Sequence, residues 1–287
     1  MQLYSEVTAF LSDKGISFDL ETVCGLTVIR AYSDKVKDPI VIIPLGMTAG
    51  SPEEASAQNQ TAESVINDIS SKTGGRPLFI SEDRWRRRPF IMKARLLAHL
   101  GIFEQIYARN CEIRRIDKKT AGEFLMANHS YGDASCRYRY GLYLKRHTGH
   151  NSTSAGTSAG TLVAVATFSN ARKWIKEGKT VRSYEWTRYA SLPQVRLCGG
   201  MGRLLKTFIE DVQPDDIMTY ADLEWSEGKV YEVLGFRQEG VKPPVMFTVD
   251  TDTWSRIPGI LSDRRDGHRY FQNSGSNKYR LKLTDYH

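Results

Sequence analysis

The sequence predicts an α/β (α+β) protein of two domains, and three observations carry that prediction. Short apolar runs of strand length alternate with segments whose apolar residues recur at helical spacing. The longest apolar run, IVIIPLGM, is far too short to cross a bilayer and suits a core strand. The character of the chain changes near Ala108–Cys111, and 287 residues are enough for two cores. The expected domains are residues 1–108, a small α/β unit, and residues 109–287.

Each element follows from its pattern. Leu3, Val7, Phe10 and Leu11 form one face of an opening helix that Gly15 ends. LTVIRAYS (Leu26–Ser33) and PIVIIPL (Pro39–Leu45) read as strands, and MTAGSPEEASAQNQ as a loop leading into a helix over TAESVINDISSKTG. RPLFIS is a short strand. The following segment, Glu82–Arg115, carries nine Lys/Arg against four Asp/Glu, and its helix turns Ile91, Leu96, Leu97 and Leu100 inward. Beyond the boundary come a strand (CEIRRI), a helix (TAGEFLMANH), and two strands, RYRYGLYLK and TLVAVATFS. Those two form a hairpin whose tip, RHTGHNSTSAGTSAG, is of low complexity. The strand VRSYEWTRYAS, the turn GGMG, the helix RLLKTFIEDV, the strand DIMTYAD, a helix containing VYEVLGF, the strand VMFTV and a last strand near NKYRLKL complete the order.

The composition, 40% hydrophobic and 25% charged, is that of a soluble protein, and the N-terminus lacks the basic-then-apolar pattern of a signal peptide. Cys24, Cys111, Cys136 and Cys198 lie far apart with no CxxC pair. That excludes a zinc ribbon or a disulfide framework and points to a reducing cytoplasm, with no membrane partner. A net charge of +7 suits an anionic partner, nucleic acid or a phosphate-rich cofactor, or belongs simply to a basic protein.

Gly199-Gly200-Met201-Gly202 follows a strand and opens a helix. Unpaired N–H groups at such a helix start carry partial positive charge, and glycines let a pyrophosphate approach the backbone. Neither GxxxxGK[ST] nor a full GxGxxG is present, so the turn by itself is either a phosphate cradle or plain punctuation. The order hairpin, strand, glycine turn, helix, strand, then a helix ending Tyr231-Glu-Val-Leu-Gly235-Phe236 resembles the GNAT family of acyl-CoA-dependent N-acyltransferases. In that family a [QR]xxGx[GA] turn holds the coenzyme A pyrophosphate and a later helix commonly ends YxxxGF. The resemblance spans roughly Cys111–Val249 and implies the GNAT fold, a mixed twisted sheet flanked by helices. It also implies acetyl-CoA or another acyl-CoA as cofactor and partner, an amine as acceptor, and transfer without a covalent enzyme intermediate. It places the cofactor against Arg196, Leu197, Cys198, Gly199, Gly200, Met201, Gly202 and Arg203. One departure is that the usual Gln or Arg falls on Leu197, with Arg196 adjacent.

IYARNCEIRRI, YRYGLYLK, SYEWTRYA and TYADLEWSEGKVYEVLGF are also similar to the GNAT-like domain fused to homing-endonuclease-type proteins of phages and mobile elements. The DNA-modifying Mom proteins are more distantly similar. In the fused proteins a Vsr-like nuclease precedes this domain, and FISEDRW (Phe79–Trp85) resembles its acidic FEDEW stretch. The nuclease's metal-binding carboxylate pattern has no match in IVIIPLGMTAGS, so the first domain reads as a degenerate nuclease-like unit with no metal site.

The resemblance implies Tyr231 as the acid that protonates the departing thiolate, where a core tyrosine is the alternative. Asp222 and Glu185 are the carboxylates placed to accept the amine's proton, or else they form ion pairs. Glu185 and Arg188, three apart on a strand, should face opposite ways. His129 sits toward the acceptor side, Ser226 caps the next helix, and Cys198 is a structural thiol. Arg84, Trp85, Arg86, Arg87 and Arg88 are candidates to neutralise phosphates and stack a base, and the acceptor is then a nucleobase or another group on nucleic acid. Tyr184, Trp186, Tyr189, Tyr220, Trp225 and Tyr231 are open to a stacking platform or to core packing. The rival reading is a non-catalytic DNA-binding accessory protein on a GNAT-derived fold.

Overall fold

The computed structural model describes residues 2–145, 158–176, 178–261 and 265–285. The expected low-complexity tip lies, through residue 157, outside them. In chain order the elements begin α1 Leu3–Asp13, β1 Phe18–Val23, β2 Leu26–Ala31, β3 Ile40–Leu45, α2 Pro52–Thr73, β4 Leu78–Ser81, α3 Glu82–Arg87 and α4 Pro89–His99. Then come β5 Glu104–Tyr107, β6 Cys111–Arg115, α5 Lys118–Asn128, β7 Tyr138–Leu144, β8 Leu162–Phe168, β9 Arg172–Lys176 and β10 Lys179–Ser191. The chain continues through β11 Val195–Cys198, α6 Gly200–Val212, β12 Asp216–Asp222, α7 Lys229–Val233, β13 Arg237–Lys242, β14 Met246–Asp250, β15 Ser255–Pro258, β16 His268–Gln272 and β17 Ser276–Lys282.

The chain forms two compact units: Met1–Ile102 with Ala221–Gly228 and Val241–Asn277, and Phe103–Tyr220 with Lys229–Gly240 and Lys278–His287. The first crossing lies near the expected boundary at 108, but the first unit takes back two later segments. The reason is packing: Val249 of β14 and Phe271 of β16 complete the apolar core of α2 and β3.

In the first unit the sheet order is β1-β2-β3-β4, antiparallel until the parallel pair β3/β4. Adjacent strand residues point to opposite faces, so each strand feeds two cores. Ile29, Ile42 and Ile80 pack with α1, Trp85 and Leu96, while Val28, Ile43 and Phe79 pack with Val65 and Ile66 of α2. Helix α2 starts earlier than expected. Ser51 accepts the Glu54 N–H at 3.2 Å, Pro52 is at the first helical position, and Glu54 accepts from the Gly50 N–H at 2.7 Å. This cap extends the helix over SPEEASAQNQ, which read as loop because it lacks large apolar residues. The basic segment expected as one helix breaks at Arg88–Pro89 into α3 and α4.

The second unit is built on a sheet ordered β13-β17-β12-β10-β8-β7-β6, with β9 also paired to β10. The expected hairpin is β7/β8, antiparallel. Val165 and Ala190 pack with Ala121 and Leu125 of α5. The opposite face carries an aromatic layer against α6: Phe208 stacks on Phe168 at 3.8 Å, edged by Tyr138, Tyr140 and Tyr184. A short parallel pair, β5/β11, lies off this sheet. This is a mixed, twisted α/β architecture flanked by helices, as the pattern of elements requires. Among the described residues no helix is long and apolar enough to cross a membrane.

Candidate functional site

The site is defined by a gap in the second unit's sheet. Parallel strands β10 and β12 pair only at Ser183–Asp216, Tyr184–Ile217 and Glu185–Met218. Beyond Glu185 and Met218 they no longer exchange a ladder, although both strands run on. The Thr219 hydroxyl donates to the Trp186 carbonyl at 3.1 Å across the mouth of this opening.

A bulge shapes β10 at the same point. Its register against β8 shifts between Trp186 and Arg188, and the Trp186 indole N–H donates to the Arg188 carbonyl at 3.1 Å. One inserted residue reverses which face later side chains occupy. Tyr184 and Trp186 therefore join the α6 face, whereas Ala190 joins α5. The same reversal puts Glu185 and Arg188 on one face, which corrects the expectation that they point apart. Burial pulls the Arg188 guanidinium down, and the nearby Glu185, Tyr131, Asp133 and Cys136 oppose that pull. Arg188 also donates to the Gly132 carbonyl at 3.2 Å, which fastens the loop after α5 to this face. His129 closes α5 and accepts the Tyr131 N–H at 3.1 Å on Nδ1. Thus Glu185, Arg188, His129, Tyr131 and Asp133 gather on the α5 side of the opening.

On the other side stands the glycine turn. Gly199 has φ +76°, and no side chain caps the first turn of α6. A Cβ on Gly200 would lie 2.6 Å from Leu197 Cδ2 and 3.2 Å from the Tyr189 hydroxyl. Leu197 is therefore packing under the turn and holds its backbone, where a polar residue was the family's usual choice. Arg203 turns back to the Ala108 and Cys111 carbonyls, so its guanidinium is structural and the expectation of a phosphate contact from it is corrected. Arg196 is exposed and lies over the Phe103 ring at 5.2 Å. What the turn offers an anion is the backbone N–H row of Gly200, Met201 and Gly202 at the positive end of a 13-residue helix. Cys198 is half-buried just before it.

Tyr231 is on α7, a helix of five residues. Its end is a complete Schellman closure: the Phe236 N–H donates to the Tyr231 carbonyl and the Gly235 N–H to the Glu232 carbonyl, both at 2.9 Å, with Gly235 at φ +89°. Phe236 is buried, as expected of the first residue after the cap. The Tyr231 ring packs against Trp186, Phe236 and Tyr279 at 6.1, 5.7 and 5.6 Å. Burial raises its phenol, against which the Thr219 hydroxyl beside it acts. The phenol thus stays protonated at neutral pH, next to the residue that spans the opening. Burial also raises the Tyr189 phenol, which senses Tyr231. Sequence reading grouped Tyr189 with the aromatics only and passed over Thr219, Tyr131 and Asp133; nothing in the local pattern marks them.

Asp222 is not part of this group. It belongs to the first unit, where it accepts from Arg84 at 2.9 Å. Ser226 accepts the Gly228 N–H at 3.1 Å, tightening the turn ahead of α7 and not capping the helix itself. Of the proposed nucleic-acid residues, the expectation is corrected for Arg84, Trp85 and Arg86. Arg84 and Trp85 are buried, Arg86 pairs with Glu6 and Glu82, and only Arg87 is fully exposed, with Arg88 half-buried. The acids of FISEDRW are similarly engaged: Glu82 accepts the Met47 N–H at 2.8 Å, and Asp83 binds Arg256. Among the described residues no group of three or more His, Cys, Asp or Glu is placed to hold a metal ion.

No family model matches the sequence, and no curated protein matches it. Among solved structures the chain is similar to a GNAT-family acetyltransferase from Bacillus anthracis, at 14% identity, 60% of this chain, 95% of that one and a TM-score of 0.31. A structure described as histone acetyltransferase HPA2 and related acetyltransferase, from Corynebacterium glutamicum, is 14% identical over 52% of this chain and 65% of that chain, with a TM-score of 0.29. A spermidine N-acetyltransferase chimera from Vibrio cholerae is 10% identical over 60% and 96%, with a TM-score of 0.33. Likeness at this level carries no weight for the chemistry, which rests on the geometry above.

Proposed function

We propose that the chain is a GNAT-type N-acyltransferase that moves an acyl group from an acyl-CoA to an amine. The observation that carries this reading is the opening between β10 and β12, with an uncapped glycine turn on one side and a neutral phenol beside it. The donor set fits the cofactor: Gly200, Met201 and Gly202 present backbone N–H groups to a pyrophosphate, with Leu197 beneath them. When bound, the cofactor supplies an activated thioester.

The chain's own residues then have distinct tasks. Glu185, half-buried on the α5 face, takes the proton that an ammonium must lose before it attacks. Arg188 and the loop it anchors orient the acceptor on that face. Tyr231 delivers a proton to the departing sulfur, and its raised pKa keeps that proton available at neutral pH. Asp222, as the Arg84 partner, serves as a scaffold group in this reading. The acceptor class is an amine, with a nucleic-acid-borne amine the finer form suggested by the charge of +7. The alternative, a non-catalytic binding protein, makes the opposite prediction in one measurement. Isothermal titration with acetyl-CoA should show saturable binding, and absence of binding at millimolar cofactor would remove the transferase reading.

A further inference from the structure

A cavity of about 530 Å³ in the second unit lies at the far end of α6 from the glycine turn. At 1.5 Å per residue, the length of α6 separates the two by about 18 Å. Four arginines line it: Arg115 from the end of β6, Arg137 just before β7, Arg139 from the start of β7, and Arg182 near the start of β10. Tyr138 and Tyr184 form its inner wall, and Asp211 is the lone carboxylate in the lining. Asp215, just outside the lining, pairs with Arg182 at 3.4 Å, so four guanidinium groups against two carboxylates leave a net positive concavity of the size that holds a small ligand.

The arginines are fixed in place without being used up. Arg115 binds Asp211, which also accepts from the Tyr140 hydroxyl at 2.6 Å. Arg139 donates to the Cys136 carbonyl at 2.6 Å, and Arg182 to the Gln213 carbonyl and, from Nε, to Asp215 at 3.4 Å. Arg137 is exposed: its backbone N–H donates to the Phe168 carbonyl at 2.8 Å and its carbonyl accepts from Arg139 at 3.4 Å, while its guanidinium makes no hydrogen bond or ion pair among the described residues. Each guanidinium has five N–H donors in a planar fork, so most donors remain available to an anion. The tyrosines are placed edge to face at 6.0 Å, and Arg115 lies over Tyr138 at 5.8 Å. An aromatic face beside a fork of arginines suits a ring that carries phosphate.

We propose that this cavity binds a nucleoside phosphate, with the arginines on the phosphate and Tyr138 against the base. The ligand chemistry is shared by a free nucleotide and by a nucleotide within a single strand. The site does not depend on the acyltransferase reading.

The experiment is isothermal titration of the full chain with uridine monophosphate, uridine, inorganic phosphate and a thymidine octamer, each with and without saturating acetyl-CoA. Uridine monophosphate or the octamer should bind, with Arg137→Ala and Arg182→Ala each weakening binding about tenfold. Both side chains are at the surface, so circular dichroism should remain unchanged. Tighter binding of the octamer, with a salt slope that falls by about 0.7 per arginine removed, assigns a strand as the source. Tighter binding of the mononucleotide assigns the free form. The proposal is overturned if neither binds, if phosphate alone binds as well as the nucleotide, if the variants bind unchanged, or if acetyl-CoA competes. Failure of acetyl-CoA to bind would touch only the transferase reading.

Discussion

Replacing Arg256 with methionine should destabilise the first unit by about 3–5 kcal/mol, the usual effect of stranding a buried charge. Arg256, on β15, has a side chain only 9% exposed and sits between Asp83, 3% exposed, and Glu224, 1% exposed. It makes five hydrogen bonds: 2.5 and 3.0 Å to Asp83, 2.9 and 3.0 Å to Glu224, and 2.9 Å to the Ser81 hydroxyl. Its guanidinium also lies 4.1 Å from the Phe271 ring centroid. Methionine keeps most of the volume and loses every one of those bonds, which leaves two buried carboxylates with Arg84 as the cation beside both, the Ser81 hydroxyl on Asp83 and Arg95 near Glu224. Urea unfolding followed by tryptophan emission, with Trp85, Trp225 and Trp254 all in this unit, reads the change.

The pH dependence provides an independent reading. Burial by itself would raise the Asp83 carboxyl, but Arg256 and Arg84 hold it below the ordinary value. A carboxyl lowered on folding contributes stability above its unfolded pKa, near 3.9, and that stability is lost as pH falls through the folded pKa. With Arg256 absent, burial dominates, so the deficit of the variant should be greatest at neutral pH and shrink toward pH ~4. Adding Glu224→Gln to Arg256→Met should recover part of the loss, because one stranded charge is gone. A loss below about 1 kcal/mol at neutral pH, or a deficit independent of pH, would refute the account of this cluster.

Tyr231→Phe keeps the ring contacts with Trp186, Phe236 and Tyr279 and should leave acetyl-CoA affinity unchanged, while kcat falls about 10²–10⁴-fold. Loss of thioester absorbance is the suitable readout, since the exposed Cys24 would react with a thiol dye; an unchanged kcat would return Tyr231 to the scaffold. Gly200→Val pushes into Leu197 at 2.6 Å and should weaken acetyl-CoA binding at least about tenfold with a stability loss of about 1–3 kcal/mol, whereas Gly202→Ala, 3.4 Å from Leu234, should be mild in both calorimetric titration and melting. Ser51→Ala removes the cap of α2 and should cost about 1 kcal/mol in urea unfolding.

Much of the architecture was legible because it is written in local patterns. The alternation of Val28–Ile29, Ile42–Ile43 and Phe79–Ile80 marks strands buried on both faces, and they pack as two cores. The Tyr231–Phe236 closure follows from a glycine able to take positive φ, and it forms as the motif suggests. Elements with weak patterns were missed. Strand β1, FDLETV, has no fully buried residue, β15 is four residues, and the start of α2 has small and polar residues in place of a stripe. For the candidate site, the glycine turn and Tyr231 were visible as motifs, but their meaning depended on partners far away in sequence.

Thus the strongly patterned strands and helices and the two motif-bearing turns belong to the sequence alone, since each depends on residues within a turn or two of one another. Tertiary structure decided the rest. It made Arg84 and Trp85 interior groups, paired Asp222 with Arg84 and Asp83 with a residue 173 positions on, and turned Arg203 onto backbone carbonyls. It also introduced the bulge that sets Glu185 and Arg188 on one face and gathered four arginines, from three strands and the residue before one of them, around one cavity. Charge and burial act through space, and the partner that determines whether an arginine is a ligand or a brace is chosen only when distant segments meet.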